Sequence, residues 1–223
     1  MNKVEYTLIK DMTTYKYPSH MKRPPGFENY HEKWIPKWET HLKHLIGNPN
    51  VLGIEIGTLY GDCAVFCAER IVTGENSLHC SIDINNNKYL KNNIAPYKNI
   101  KFMKGRSSDF LGNPLLLLSE TADYIFIDGS HLAFDIINDA VLSWRILKDG
   151  GILIFDDYGW GIHTNDEKQK PKIAIDAFMS AYQGHYQIIE VGWQVYLKKL
   201  HCEYSKEELE NAVQPEDLDA LYQ

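Results

Sequence analysis

The 223-residue chain is long enough to bury the core of one globular domain with short extensions, and 44% apolar with 24% charged residues is ordinary for a folded protein. A formal charge of −7 argues against a duplex nucleic-acid binder, which needs a basic face to neutralise phosphates. The start of the chain, Met1–Glu5, lacks an apolar signal-peptide core, and no apolar run approaches the roughly 18 residues that span a bilayer, so the expectation is a cytoplasmic protein with no membrane partner.

Residues 1–48 read as an N-terminal extension or cap: Pro18, Pro24, Pro25 and Gly26 keep its first part irregular, and a helix is expected around Lys37–Ile46. Residues 49–200 read as the main domain. Short apolar runs at Val51–Ile56, Leu78–Ile84, Ile100–Lys104, Tyr124–Asp128 and Ile152–Phe155 have the character of buried parallel strands. Helical stretches separate them. Before the fifth strand, Phe134, Ile137, Val141 and Trp144 recur at helical spacing, and Gly150-Gly151 is expected to end that helix. The alternation predicts an α/β fold, a Rossmann-like doubly wound, mostly parallel sheet. After a Gly-rich and charged loop, Pro171 is placed to open a helix. Tyr186–Val191 and Gln194–Lys198, separated by Gly192-Trp193, predict a hairpin that adds an antiparallel strand at the sheet edge. In the tail, residues 201–223, Ser205 and Glu208 have the spacing of a capping box for a short terminal helix.

Two groups of residues carry chemistry. The first lies where the first strand turns into the first helix of the main domain, at Glu55-Ile-Gly57-Thr-Leu-Tyr-Gly61. Glycine there lets a ligand approach the backbone, and helix-start amides favour polar or anionic groups. Gly53, Gly57 and Gly61 are four apart, unlike the i, i+2, i+5 glycines of a dinucleotide fingerprint. Asp83, ending the second strand, is placed to accept both ribose hydroxyls of a nucleoside. The second group is Asp128-Gly-Ser-His131 after the fourth strand and Asp156-Asp157 after the fifth. Adjacent parallel strands bring such residues to one edge, where three carboxylates repel one another and call for a cation such as Mg²⁺ or Mn²⁺. His131 is placed to accept a proton from a hydroxyl held there.

E-x-G-x-x-x-G followed by an acid ending strand two resembles the class I S-adenosylmethionine methyltransferases. The segment IDGSHLAFDIINDAVLSWRILKDGGILIFDDY is similar to the group that includes macrocin-type antibiotic-sugar O-methyltransferases, and more distantly to catechol O-methyltransferase. The resemblance covers Val51–Tyr158. It implies S-adenosylmethionine as cofactor, with Glu55, Gly57 and Gly61 against its methionine part, Asp83 on the ribose, and Ser107, in Gly105–Asp109, near the adenine. It implies Asp128, Asp156 and Asp157 as Mg²⁺ ligands, Asp128 also bordering the cofactor, with His131 at the base position. Two departures are Ser130, where many members have Asp, and Asp157, where some have Asn.

The expected reaction is metal-assisted O-methylation of a hydroxyl on a sugar or other small molecule, the acceptor touched by Tyr158 and Trp160. A small-molecule acceptor is thus the expected partner, with no nucleic acid; assembly as a homodimer is left open. The competing classes are an NAD(P)-dependent oxidoreductase, against which the glycine spacing speaks, and a nucleoside binder without chemistry, which would not need the acids. A nucleic-acid N-methyltransferase would carry Asn/Asp-Pro-Pro-aromatic after strand four, and the chain does not. Trp34, Trp38, His31 and His163 lie in segments that could cover the site but read equally as packing. Cys63, Cys67, Cys80 and Cys202 include no C-x-x-C pair and no metal-ligand spacing; Cys63 and Cys67, four apart on a helix, read as buried reduced thiols.

Overall fold

A computed structural model describes residues 15–28, 32–113 and 121–201. After a short 3-10 turn, the first helix, α1, runs Ile35–Leu42, with Pro36 in its first turn. The main domain then alternates β1 (Leu52–Ile56), α2 (Asp62–Arg70), β2 (Leu78–Asp83), α3 (Lys88–Ile94), β3 (Ile100–Lys104), α4 (Ser107–Leu111), β4 (Ala122–Ile127), α5 (Ala133–Ile146) and β5 (Leu147–Phe155). It closes with α6 (Pro171–Ala181), β6 (Tyr186–Val191) and β7 (Val195–Lys199). The strands form one sheet in the order β3-β2-β1-β4-β5-β7-β6. β1 to β5 are parallel, and β7 lies antiparallel between β5 and β6. This is the expected doubly wound sheet with its C-terminal hairpin. The Ser205–Glu208 expectation lies outside the described residues, and no described helix is long and apolar enough to cross a membrane.

Side-chain alternation along the strands splits the core in two. Ile54, Ile56, Ile125, Ile127, Leu153 and Phe155 face α5 and α6, where Ile136, Ala140, Trp144, Ile175 and Phe178 close the layer. Tyr124, Phe126, Ile152, Ile154 and Tyr196 face the other way, against Trp38 and Leu42 of α1 and Phe66 and Cys67 of α2. Trp38 is therefore core: it is buried, packs edge-on against Phe126, and donates its indole N–H to Gln194.

Two local expectations are corrected. Helix α5 ends at Ile146, and Gly150-Gly151 lies inside β5. Leu147 is already extended (φ −67°, ψ 131°), and Gly150, at φ +78°, makes a bend within the strand instead of a helix stop. The inward face of α5 is also rotated from Phe134-Ile137-Val141-Trp144. Ile136, Asp139, Ala140, Ser143 and Trp144 are buried, whereas Phe134 is 62% exposed.

Candidate active site

The parallel strands end along one edge, and a cavity of about 940 Å³ opens over their C-terminal ends. That volume suits a cofactor together with an acceptor. Ile56, Gly57 and Leu59 form its floor; Asp83, Ile84 and Asn85 from the β2 end and Gly105–Ser108 from the β3 end form one side; Asp128–His131, Asp156 and Asp157 form the other. Because β2 and β3 lie to one side of β1 while β4 and β5 lie to the other, the loop at Gly57 stands between the two halves.

Gly57 is the pivot of this edge. Its φ is +89°, its amide donates to the Ile82 carbonyl, and a Cβ built on it would stand 2.1 Å from the Asp128 carbonyl oxygen. Both the left-handed backbone and the contact with the β4 end require glycine. Asp83 holds the loop: one carboxylate oxygen accepts the amides of Thr58 and Leu59, both at 2.9 Å, and the other accepts Asn85 N–H at 2.7 Å. The acid ending β2 thus orders the loop as well as lining the cavity.

On the far side, Asp128, His131 and Asp157 each bring one donor atom within 4.8 Å of the others. The Asp128 carboxyl is pushed well above the usual carboxylate range, by desolvation first and then by the charges of Asp156, Asp157 and Glu55. Asp157 sits in the left-handed region, φ +59°, which a non-glycine residue adopts at a cost. It is held there by His131 Nε2, 2.7 Å from its Oδ2, and by the Trp193 indole N–H, 3.0 Å from its Oδ1. Asp156 is buried, accepting the Asp157 amide at 2.7 Å and the Gln194 side-chain amide at 3.1 Å. The His131 ring stacks on Trp160, 4.5 Å between centroids. Its pKa is raised, chiefly by the hydrogen bond to Asp157 working against desolvation. The carboxylates therefore outweigh burial at this imidazole.

The cavity collects Gly57, Asp83, Ser107, Asp128, His131, Asp156, Asp157 and Trp160 from the residues expected by sequence, and leaves out Glu55, Gly61 and Tyr158. Strand alternation turns Glu55 to the α2 side of the sheet, where it is buried and accepts a hydrogen bond from Ser81 at 2.9 Å. Gly61, at φ +85°, caps α2 beyond the lining. The Tyr158 hydroxyl reaches away to Asp176 and Lys172. His163 is exposed outside the cavity lining, and His31 lies outside the described residues.

Trp34, from a segment expected to be able to cover the site, and residues with no sequence signal complete the walls. Asp139 of α5 is buried, bonded to the Ser107 hydroxyl at 2.5 Å, and pushed up to about 6, mainly by burial. Lys33, Trp34 and Trp193 cover the acid end, with the Lys33 ammonium over the rings of both tryptophans. Gln194, fully buried, links Trp38 to Asp156.

Residues 54–158, which contain this whole edge, match the profile of a family described as a methyltransferase domain. The segment has the fold of the class I methyltransferases. An uncharacterised protein of Acanthamoeba polyphaga mimivirus is 35% identical over 74 residues, 31% of this chain and 34% of the viral protein; the match thus spans about a third of that relative. Among solved structures, the domain resembles an O-methyltransferase from Bacillus cereus in complex with SAH (TM-score 0.58, 15% identity, 82% of this chain and 84% of that one). It also resembles the MycE methyltransferase of the mycinamycin biosynthetic pathway, in complex with Mg and SAH (TM-score 0.60, 15% identity, 86% of this chain and 54% of that one). The chain spans about half the length of MycE, and at such identities these likenesses establish the fold.

Gly57→Ala is expected to destabilise the fold by about 1–2 kcal/mol from the left-handed backbone alone. The clash with the Asp128 carbonyl adds to this, because rigid β1 and β4 flank it. Urea unfolding checks it: an unchanged midpoint would mean that the loop relaxes freely and Gly57 is not required.

Proposed function

We propose that the chain is an S-adenosylmethionine-dependent O-methyltransferase, assisted by a divalent Mg²⁺ or Mn²⁺ ion, acting on a hydroxyl of a sugar or other small molecule. The observation that supports this best is the single cavity running from the Asp83 and Ser107 side to the Asp128–Asp157–His131 side. Its first half suits a nucleoside. Asp83 is the ribose acceptor, Ile84 and Phe134, 64% and 62% exposed, are apolar walls for a base, and Ser107 with Asp139 supplies polar contacts at its edge. Gly57 leaves room above the central strand for the methionine part. The second half suits a metal and an acceptor. The cluster of hard carboxylate oxygens fits Mg²⁺ or Mn²⁺, which Asp128, Asp156 and Asp157 would hold. MycE, which shares the fold, was solved with Mg, SAH and mycinamycin VI.

When bound, the cofactor supplies an electrophilic methyl group and the ion lowers the pKa of the acceptor hydroxyl. The residues of the chain do the rest. Trp34, Trp160 and Trp193 wall the acceptor end, present flat apolar faces that suit the C–H face of a sugar ring, and exclude water. Asp157 orients His131, which takes the hydroxyl proton. Much of the rate comes from holding oxygen and methyl in line.

Calorimetry tests the cofactor assignment. S-adenosylmethionine and S-adenosylhomocysteine should bind and NAD should not, and Asp83→Ala should weaken binding by about 1.5–3 kcal/mol. Tight NAD binding with no response to the sulfonium would end this reading. Asp139 adds a pH signature. Burial and the neighbouring charge of Asp135 raise this carboxyl to about 6, while Ser107 pulls it down. Its ionised form accepts from an adenine amine, so affinity should rise with pH through about 6 and level off above. In the free protein the same shift makes stability fall as pH rises from the ordinary carboxylate range through about 6, because the folded state binds the proton more tightly. Asp139→Asn should flatten both curves; a wild-type affinity flat across that range would remove Asp139 from the adenine contact.

A further inference from the structure

Behind the cofactor loop, on the α2 side of the sheet, lies a second group of donors that the methyl-transfer chemistry does not use. Cys63 and Cys67, one turn apart on α2, point at His79 of β2, and one donor atom from each of the three falls within 4.8 Å of the others. Glu55 of β1 completes a ring. Its Oε2 lies 3.3 Å from His79 Nε2, and it is in hydrogen-bonding reach of Cys63, as Cys67 is of both Cys63 and His79. His79 is fully buried, Glu55 1% exposed, Cys67 fully buried and Cys63 4% exposed. An acid, an imidazole and two thiols thus share a site that water does not reach, where apolar side chains would pack at far lower cost.

From this arrangement we propose that Cys63, Cys67, His79 and Glu55 form a structural site for a zinc-type divalent ion, separate from the carboxylate site at the strand ends. Two sulfurs, one nitrogen and one carboxylate oxygen are a tetrahedral zinc set. Ligand atoms in such a set stand about 3.3–3.8 Å apart, as bond lengths of about 2.0–2.3 Å dictate. Cys63, Cys67 and His79 already lie within 4.8 Å of one another, and the Glu55 carboxylate, 3.3 Å from His79 Nε2, must swing toward the sulfurs to close the tetrahedron. The outer contacts also have the form that such sites take. The other ring nitrogen, Nδ1, lies 2.8 Å from the Tyr124 hydroxyl, and Ser81 donates to Glu55 Oε2 at 2.9 Å, so the imidazole and the carboxylate are each held from behind. A zinc-type ion displaces the two thiol protons, its two charges balance the two thiolates so formed, and the carboxylate binds it directly as the fourth ligand. It would tie α2 to β1 and β2 just below Gly57, bracing the loop that receives the cofactor. The four-residue cysteine spacing differs from a C-x-x-C pair, and the ligands come from three elements, which hides the set in the sequence.

Protein purified and dialysed without chelator should carry about one equivalent of zinc by elemental mass spectrometry. A mercurial that blocks thiols should release that equivalent to a metallochromic dye. Refolding with Co²⁺ in place of zinc should give the intense near-ultraviolet thiolate-to-cobalt absorption, which carboxylate sites lack. Cys67→Ser should lose both the zinc and that absorption, while Asp128→Ala, which removes a carboxylate of the other site, should keep them. Should Cys67→Ser not fold, the mercurial release and cobalt spectrum of the unmodified chain still decide. Zinc-free protein that takes up no Co²⁺ with thiolate absorption would overturn the proposal, and so would a mass two hydrogens lighter showing a Cys63–Cys67 disulfide. Retention of the zinc in Cys67→Ser would overturn it equally.

Discussion

Asp128→Ala is expected to lower turnover by roughly 10²–10⁴-fold, matching the several kcal/mol that a Lewis acid contributes at a developing alkoxide. The chelated wild-type protein should fall by the same factor and recover with Mg²⁺ or Mn²⁺; the variant should not recover. The geometry makes Asp128 the cleaner substitution. Its carboxyl stands at the centre of the repulsion among Asp156, Asp157 and Glu55, so the site relaxes when it is removed. Asp156→Ala would also release the Asp157 amide and the Gln194 side chain, mixing a structural effect with a chemical one. Cofactor affinity measured by calorimetry should change little in Asp128→Ala, because Asp83 and Ser107 lie across the cavity from it. Full wild-type turnover in excess chelator would reduce the three acids to a structural role and remove the metal from the reaction.

How much of this was legible follows from where each signal is encoded. Parallel strands covered on both faces are apolar runs, so β1 to β5 could be read almost directly, and their shared edge placed Asp83, Asp128, Asp156 and Asp157 around one cavity. Glu55 was expected in the cofactor site because motif spacing says nothing about which face of a strand a side chain takes. With Ile54 and Ile56 on the α5 side, residue 55 must turn to α2. Gly150 misled because glycine serves equally as a helix stop and as a bend inside a strand. The α5 face was misjudged because Asp139 and Ser143 are polar yet buried, and a pattern of large apolar residues passes over them. Trp193 and Gln194 reach the acids from a hairpin turn 36 and 38 residues downstream, a proximity that only the insertion of β7 beside β5 creates.

His131→Ala is expected to slow the chemical step by roughly 10²–10⁴-fold, the usual worth of a positioned base, with little change in affinity for cofactor or metal. The ring is fixed twice, by its stack on Trp160 and by Asp157 accepting from Nε2. With Nε2–H donating to that carboxylate, the lone pair resides on Nδ1, which becomes the nitrogen able to take a proton. Orientation by Asp157 therefore matters as well as the presence of an imidazole. Trp160→Ala should keep the base but loosen its aim, giving a smaller loss than His131→Ala. Single-turnover rates are the appropriate measurement, because steady-state rates limited by product release would mask a change in chemistry. His131→Gln, similar in size and able to hydrogen-bond Asp157 but unable to act as a base, separates the two roles. If the histidine only braces Asp157, the glutamine variant should recover most of the rate; if it carries the proton, glutamine should be nearly as slow as alanine. A His131→Ala enzyme within a few-fold of wild type in the single-turnover step would show that bulk water takes the proton unaided, and would remove histidine from the mechanism.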